Sequence, residues 1–454
     1  MGRVTDRAPS PASPAPVPAP STPLLAPLLT AEGQALLAEL RDHDPAQELA
    51  LATRLRREHP AELVSAALAQ ARLRQRGVAK FGADDAYRMY FTPNGVEQAT
   101  RGSVAAHRAA RFRALAPGSG VTDLCCGIGG DAIELARAGL AVTAVDLDPL
   151  TCEIALTNVR TLAPDAPPVT VTRADVLEYD TTGADALFID PARRGGRGRI
   201  FDPEAYSPPL SWAVEAVRRT GAGAVKIAPG IPHELIPDDF EAEWISDSGD
   251  VKEAVLWHRR EDGRGHGRGR GHGHGHGHGH GHGHGHGHGH GRGHGRGHGG
   301  PEAVVPGTRR ATLLPSGATL TGRGLPDPPV RPVGRFLYEP DGAVIRAHLV
   351  TEVAEDLAGG LLDETIAYIT ADEARPTPFA TAYEITDQLP FGLKKLKALL
   401  REREVGVLTV KKRGSAVEPE ELRRRLKLKG PNAATVFLTR VAGAPTMLIG
   451  HPAQ

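Results

Sequence analysis

Val121-Thr122-Asp123-Leu124-Cys125-Cys126-Gly127-Ile128-Gly129-Gly130-Asp131, followed by Ala141-Val142-Thr143-Ala144-Val145-Asp146-Leu147-Asp148, decides the fold of this chain. A short apolar run ends in an acid and the backbone turns through three glycines. An Ala/Leu-rich helix then runs from Ala132 to Ala138, and a second apolar run ends in another acid. Strand, glycine turn, helix and strand in this order predict a βαβ unit built around a nucleotide-like ligand. Glycine allows positive φ and a close approach of the ligand to the main chain. The acid at the end of the second strand can accept hydrogen bonds from a ribose diol.

Two cofactors use such a unit, and charge separates them. Gly127-Ile128-Gly129-Gly130-Asp131-Ala132 fits the dinucleotide pattern G-x-G-x-x-A. A pyrophosphate would sit on the N-terminus of the helix and gain from its positive dipole end. Asp131 at that helix start and Asp123 four residues before the first glycine would repel it. S-adenosylmethionine has no phosphate and carries a sulfonium and an ammonium, so the same acids favour it over NAD.

Further strands follow in the order this reading requires. Val169 to Asp175 is a third strand ending in an acid suited to an adenine amino group, and Ala184 to Ile189 is a fourth, leading into Asp190-Pro191-Ala192-Arg193-Arg194. Ligands of an open α/β sheet gather at the carboxyl ends of its strands, which puts Asp190 beside the transferable methyl. Ala222 to Ala228 is a fifth strand. Glu243 to Ser246 and Lys252 to Trp257 read as a hairpin that closes the sheet.

On these residues, about Phe91 to Arg259 resembles a class I S-adenosylmethionine-dependent methyltransferase. The DLCCGIGGD and AVDLDP pieces are most similar to RNA methyltransferases related to trimethylguanosine synthase. Phe91-Thr92-Pro93 with Glu97 fits the same group, in which such a segment packs over the cofactor. Phe336-Leu337-Tyr338-Glu339-Pro340-Asp341 and Leu408-Thr409-Val410-Lys411-Lys412-Arg413-Gly414 resemble the THUMP-like domain of bacterial proteins that carry such a methyltransferase. The resemblance implies a doubly wound, Rossmann-like α/β sheet of seven strands, preceded by a helical domain and followed by an α+β THUMP-like domain.

The strand-end acid departs from the family pattern. Base-amine methyltransferases usually continue with two prolines and an aromatic on which the base stacks, whereas here Ala192 and Arg193 replace the second proline and the ring. A base can also stack on a guanidinium. Asp-Pro-x-Arg is also similar to RNA uridine C5-methyltransferases, but these need a later cysteine nucleophile and none follows Cys152.

Composition bounds the rest. The 454 residues allow about three domains, and the formal net charge is zero, so attraction for nucleic acid must be local. The three cysteines, Cys125, Cys126 and Cys152, form no spaced disulfide framework, and neither a signal segment nor a membrane-spanning run is legible. A cytoplasmic protein is therefore expected. Residues 1–27 read as a Pro/Ala-rich disordered tail and 28–90 as a helical domain with Pro45 and Pro60 at helix starts. Phe81, Tyr87, Tyr90 and Phe91 read as packing between helices and sheet rather than as a base-stacking platform.

Residues 91–260 are the methyltransferase and 261–310 a linker centred on an alternating Gly-His tract, with incidental Ni²⁺ or Zn²⁺ affinity and no fixed metal site. Residues 311–454 are the last domain. Between Phe391 and Arg440 it holds 14 Lys/Arg against 5 Asp/Glu, a one-signed excess that can drive counterion release on RNA.

The expected site follows from these parts. Asp123, Cys125, Gly127, Gly129 and Asp131 surround the methionine moiety of S-adenosyl-L-methionine, Asp146 holds the ribose and Asp175 the adenine. Asp190 and Arg193 face the acceptor. RNA, tRNA or rRNA in particular, is the expected partner. A small metabolite as acceptor, and a non-catalytic RNA-binding protein with a retained pocket, are the alternatives.

Overall fold

The protein is described from a computed structural model that covers residues 25–192, 194–195, 198–199, 202–260 and 304–453. Residue Arg193, most of the Pro/Ala-rich segment and the Gly-His tract lie outside the described residues.

The N-terminal region is helical. Thr30 caps α1 (Ala31–Glu39) by accepting from the Gly33 amide, and α2 (Glu48–Leu55) and α3 (Ala61–Ala86) pack beside it through Leu36, Leu55, Val64 and Leu68. Two shorter passages lead to the sheet. In α4 (Pro93–Gln98), Thr92 accepts from Gly95 and proline occupies the first turn, and α5 (Gly102–Leu115) buries Val104, Ala109 and Phe112. Tyr90 and Phe91 are buried where helices meet sheet. Phe81 packs on Phe91 at 5.8 Å, and the Tyr90 amide donates to Asn158. They act as core, as their sequence setting implies.

The first sheet begins with the expected βαβ unit. β1 (Val121–Leu124), α6 (Gly130–Arg137), β2 (Val142–Asp146), α7 (Pro149–Leu162), β3 (Val169–Arg173) and β4 (Ala186–Ile189) follow one another. β1 and β4 are buried along their whole length, as parallel strands covered on both faces must be. Asp148 caps α7 through the Thr151 amide, with Pro149 at the first helical position. After β4 come the two-residue strands β5 (Arg194–Gly195) and β6 (Gly198–Arg199), then α8 (Leu210–Thr220), β7 (Ala222–Ile227), β8 (Glu241–Asp247) and β9 (Asp250–Arg259).

The core order is β3-β2-β1-β4-β7-β9-β8, with β9 antiparallel to both neighbours. These are the seven expected strands. Two more extend the edge: β10 (Arg309–Leu314) lies parallel to β8, and β11 (Ala318–Thr321) lies antiparallel to β10. The sequence pattern ends the methyltransferase at 260 and begins the last domain at 311, but β10 and β11 complete the first sheet. Buried charge holds them there. Glu241 of β8 accepts from Arg310 and from Arg111 of α5, while Glu243 accepts from Arg111, Thr312 and the Trp257 indole.

The C-terminal part forms a second sheet from β12 (Phe336–Pro340), β13 (Gly360–Asp363), β14 (Ile366–Ala371), β15 (Ala380–Pro390), β16 (Val405–Lys412), β17 (Asn432–Val441) and β18 (Ala444–Pro452). Its order is β13-β14-β12-β15-β18-β17-β16, antiparallel except for β16 on β17. On one face, α11 (Leu393–Glu402) and α12 (Pro419–Leu426) bury Leu396, Leu400, Leu422 and Leu426. The other face closes over Tyr368, Tyr383 and Phe437. Between the sheets lie α9 (Gly342–Arg346) and α10 (Val350–Asp356), which share one apolar cluster with Phe240 and Trp244 of the first sheet. His233 stacks on Trp244 at 5.0 Å and on His348 at 3.7 Å across the same contact. Burial, then the charges of His348 and Arg309, push the His233 pKa down to about 4, so its ring is neutral at neutral pH. No helix among the described residues is long and apolar enough to cross a membrane.

Candidate active site

The strand order reverses between β1 and β4, and a cavity of about 740 Å³ opens at the carboxyl ends of these strands. Cys125 (φ 63°), Gly127 (φ 56°) and Gly129 (φ 83°) turn the chain out of β1. At Gly129 a Cβ would also stand 3.2 Å from Ala155, so glycine is needed both for the left-handed conformation and for the closeness of α6 to α7. Asp123, Cys125, Gly127, Asp131, Asp146 and Asp190 line the cavity. Gly129 shapes the turn from behind. Asp175 stands after β3, where its carboxylate accepts from the Leu177 amide at 3.0 Å, outside the cavity lining.

Each acid has a distinct environment. Asp123 is 1% exposed, and neither carboxylate oxygen has a hydrogen-bond partner among the described residues. Burial, then the neighbouring Asp131 and Asp190 carboxylates, hold its pKa well above the usual carboxylate range. The Arg108 cation only partly offsets this. Asp131 is already paired, because Arg108 donates to it and to Glu253 while lying 4.4 Å over the Phe188 ring. Asp146 accepts from the Gly127 amide and the Asp148 amide, each at 3.0 Å, and these bonds fix the strand-end acid against the glycine turn. Leu147 and Leu177, each following a strand end, are exposed large apolar side chains. The thiols of Cys125 and Cys126 are pushed up, first by burial and then by nearby carboxylates, which makes them poor nucleophiles.

Three parts of the lining carry no role in the sequence reading beyond the resemblance. Thr92, Asn94, Glu97 and Gln98 bring the start of α4 over the cavity, where the Phe91-Thr92-Pro93 resemblance places a covering segment. Thr100 follows on the next loop. Lys226 is the third: its Nζ donates to Asp190 Oδ2 at 2.7 Å and to Thr100 Oγ1 at 2.9 Å. The available signal is a single charge inside the apolar run Ala222 to Ala228, which a strand buried on both faces rejects unless it is paired.

The donor set fits S-adenosylmethionine. Asp123 offers two unpartnered buried oxygens to a cation, and Asp146 keeps acceptor capacity beside its two amide bonds. Comparison with known proteins agrees. The chain is 32% identical over 354 residues to an uncharacterized S-adenosylmethionine-dependent methyltransferase of Mycobacterium tuberculosis, in strains CDC 1551 and H37Rv alike, covering 77% of this chain and 84% of that protein. The chain belongs to the S-adenosylmethionine-dependent methyltransferases. The methyltransferase shares its fold with the crystal structure of a methyltransferase-like protein from Porphyromonas gingivalis W83. The two align with a TM-score of 0.70 at 20% identity, over 92% of this chain and 98% of that one. Residues 380–452 match the THUMP domain-like family, and residues 22–77 match a family described only as a domain of unknown function.

Proposed function

We propose that the methyltransferase acts on RNA, with tRNA or rRNA as substrate, by direct transfer to a base or ribose heteroatom. The observation that carries this reading is a THUMP-like domain packed on the catalytic sheet, whose two face helices expose cations. Lys394 and Lys395 of α11, Arg424 of α12, and Lys427 and Lys429 beyond it are exposed and without a salt bridge among the described residues. Unpaired cations on adjacent helices suit a phosphate backbone.

The bound cofactor supplies an electrophilic methyl on a sulfonium. Asp123, with the turn through Gly127 and Gly129, receives the methionine moiety; Asp131, held by Arg108, supports that side of the pocket. Asp146 takes the ribose hydroxyls, and Asp175 with Leu147 and Leu177 borders the adenine. Asp190 stands at the mouth and orients the acceptor, with Arg193 as the expected contact to the nucleic-acid backbone. Alignment within a closed pocket accounts for most of the rate, and no general acid is required.

The test is tritiated methyl transfer by the full-length protein onto total RNA from cells lacking the gene, beside a small-molecule extract of the same cells. Label confined to the RNA supports this reading. Label confined to the extract overturns it and makes the acceptor a metabolite.

A further inference from the structure

A chain of alternating charge runs beneath the cavity: Asp131, Arg108, Glu253, Lys226 and Asp190. Arg108 donates to Asp131 and to Glu253, Lys226 stands 3.9 Å from Glu253, and Lys226 donates to Asp190 at 2.7 Å. The side chains of Arg108, Glu253 and Lys226 are 1%, 2% and 5% exposed, whereas Asp190 is 25% exposed and borders the cavity. Asp190 is therefore the more exposed of the two carboxylates that end the chain, with the buried Lys226 behind it. Desolvating a lysine is costly, and a fold that needed only to fill this volume would use an apolar side chain. Glu253 is already served by Arg108, so the pairing of Lys226 with Asp190 needs another explanation.

We propose that Lys226 is the positioning residue of the acceptor site, and that the Asp190–Lys226 pair restricts the acceptor to a nitrogen, an amino group or ring nitrogen of a nucleobase. The proposal rests on Asp190 facing the transferable methyl, as in the proposed function. Lys226, itself held by Thr100, donates to Oδ2 of Asp190, which leaves Oδ1 to accept from an acceptor N–H. An ammonium has three N–H bonds; Asp190 and Thr100 take two, and Glu253 at 3.9 Å is beyond hydrogen-bond reach, so a donor remains beside the carboxylate. A neighbouring acceptor and donor match the edge of a base that presents N–H next to a lone pair.

Proton chemistry points the same way. A carboxylate is a weak base, unsuited to forming an alkoxide from a hydroxyl before transfer. A nitrogen needs no prior deprotonation. Its lone pair forms the bond to the methyl carbon, the carbon–sulfur bond breaks with its electron pair going to sulfur, and the nitrogen becomes cationic. A methylated amino group then releases a proton acidic enough for Asp190 to accept and pass to water, whereas a ring nitrogen without N–H keeps its positive charge.

Two measurements test this. Sinefungin carries an amino group where S-adenosylhomocysteine has only its sulfur, so the ratio of their dissociation constants reports on the carboxylate facing the methyl position. The other groups whose charge acts with Asp190 are Asp123, Cys125, Arg108 and, through Lys226, Glu253, and all are retained. Lys226→Met should raise the preference for sinefungin about tenfold, because Asp190 loses its internal cation, while Lys226→Arg leaves it within about twofold. Asp190→Asn, which keeps the side-chain shape and a carbonyl oxygen that can accept from Lys226, should abolish the preference. A purely structural lysine would weaken both ligands equally in Lys226→Met, and that result overturns the assignment. Equal affinity for the two ligands in the parent and in Asp190→Asn would instead sink the placement of Asp190 on which it rests.

The second measurement is nucleoside mass spectrometry of the tritium-labelled product. N-methylation supports the proposal, including in the small-molecule fraction, where RNA as substrate would fail but the nitrogen would stand. A 2′-O-methyl product, or no label in either fraction, counts against it.

Discussion

Asp146 and Asp123 are two strand-end acids with opposite problems, and each makes its own prediction. Asp146 is already fixed by the amides of Gly127 and Asp148, so its free acceptor capacity is pre-oriented for a diol. Asp146→Ala should weaken S-adenosylmethionine by about 2–3 kcal/mol, on the order of 30- to 150-fold, and calorimetry showing unchanged affinity would remove the ribose assignment. Asp123 has no hydrogen-bond partner among the described residues and a pKa held high by burial and by Asp131 and Asp190. A bound cation draws that pKa back down. Between the liganded and unliganded values a proton must leave on binding, so affinity rises with pH through that window and levels off above the unliganded value. Calorimetry of S-adenosylhomocysteine in buffers of different ionisation enthalpy should report release of up to about one proton, absent in Asp123→Asn. An enthalpy independent of buffer in the parent would sink the idea.

Among the elements, β8 shows where sequence reading succeeds and where it stops. The run from Val121 to Asp148 is legible because apolar period, glycine turn and strand-end acids agree locally, and β1, α6 and β2 form there. The run from Glu243 to Ser246 reads as one arm of a hairpin, but the burial of all seven residues from Glu241 to Asp247, three of them acids, is not legible there. Their partners, Arg111, His107, Arg310 and Thr312, come from α5 and β10, far away in sequence, so no local pattern announces them. The same holds for Lys226 and Arg108, whose roles depend on one another. β15 escapes a sequence reading because it is half exposed and mixes polar with apolar residues.

The network around β8 is open to a direct test. Arg111 lies 4.4 Å over Trp257 and donates to both Glu241 and Glu243. Arg111→Met should cost about 3–5 kcal/mol in urea unfolding, since it removes the buried cation that Glu241 and Glu243 share. Burial alone would raise Glu243, but Arg111, then His107, hold its pKa well below the ordinary value of 4.5. A depressed acid contributes stability that is present above its unfolded pKa and is lost as pH falls toward the folded value. The parent should therefore lose stability below about pH 4.5, and the variant should show less of that loss. A variant within about 1 kcal/mol of the parent would show that the network is dispensable.

At the scale of the whole molecule, a chain with no net charge can attract RNA only through the arrangement of its cations. The run between Phe391 and Arg440 is predominantly basic as sequence, and Lys411, Lys412, Arg413, Arg423, Arg424 and Arg425 stand out in it. Folding divides that set. Lys411 and Arg413 share Glu339, Lys412 pairs with Glu418, Arg423 with Glu420, and Arg425 with Glu421. Of the six, Arg424 alone has no ion pair among the described residues. Lys397 donates to the Arg425 carbonyl, which ties α11 to α12, so Lys394 and Lys395 belong to the same surface region as Arg424, Lys427 and Lys429. Phosphate binding releases counterions in proportion to the free cations engaged, and cations already neutralised within the protein contribute less. Changing Lys394, Lys395, Arg424, Lys427 and Lys429 to Gln should leave the S-adenosylmethionine dissociation constant unchanged. It should weaken RNA binding and flatten the slope of log affinity against log salt by up to about 3.5 units, at roughly 0.7 for each single-stranded phosphate no longer neutralised. The matching change at Lys411, Lys412, Arg413, Arg423 and Arg425 should flatten it by less than about one unit, because it removes internal pairs rather than free charge. If the two variants flatten the slope equally, ion pairing does not decide which cations meet the RNA. If neither flattens it, the THUMP-like domain does not bind the RNA, and the metabolite becomes the better acceptor.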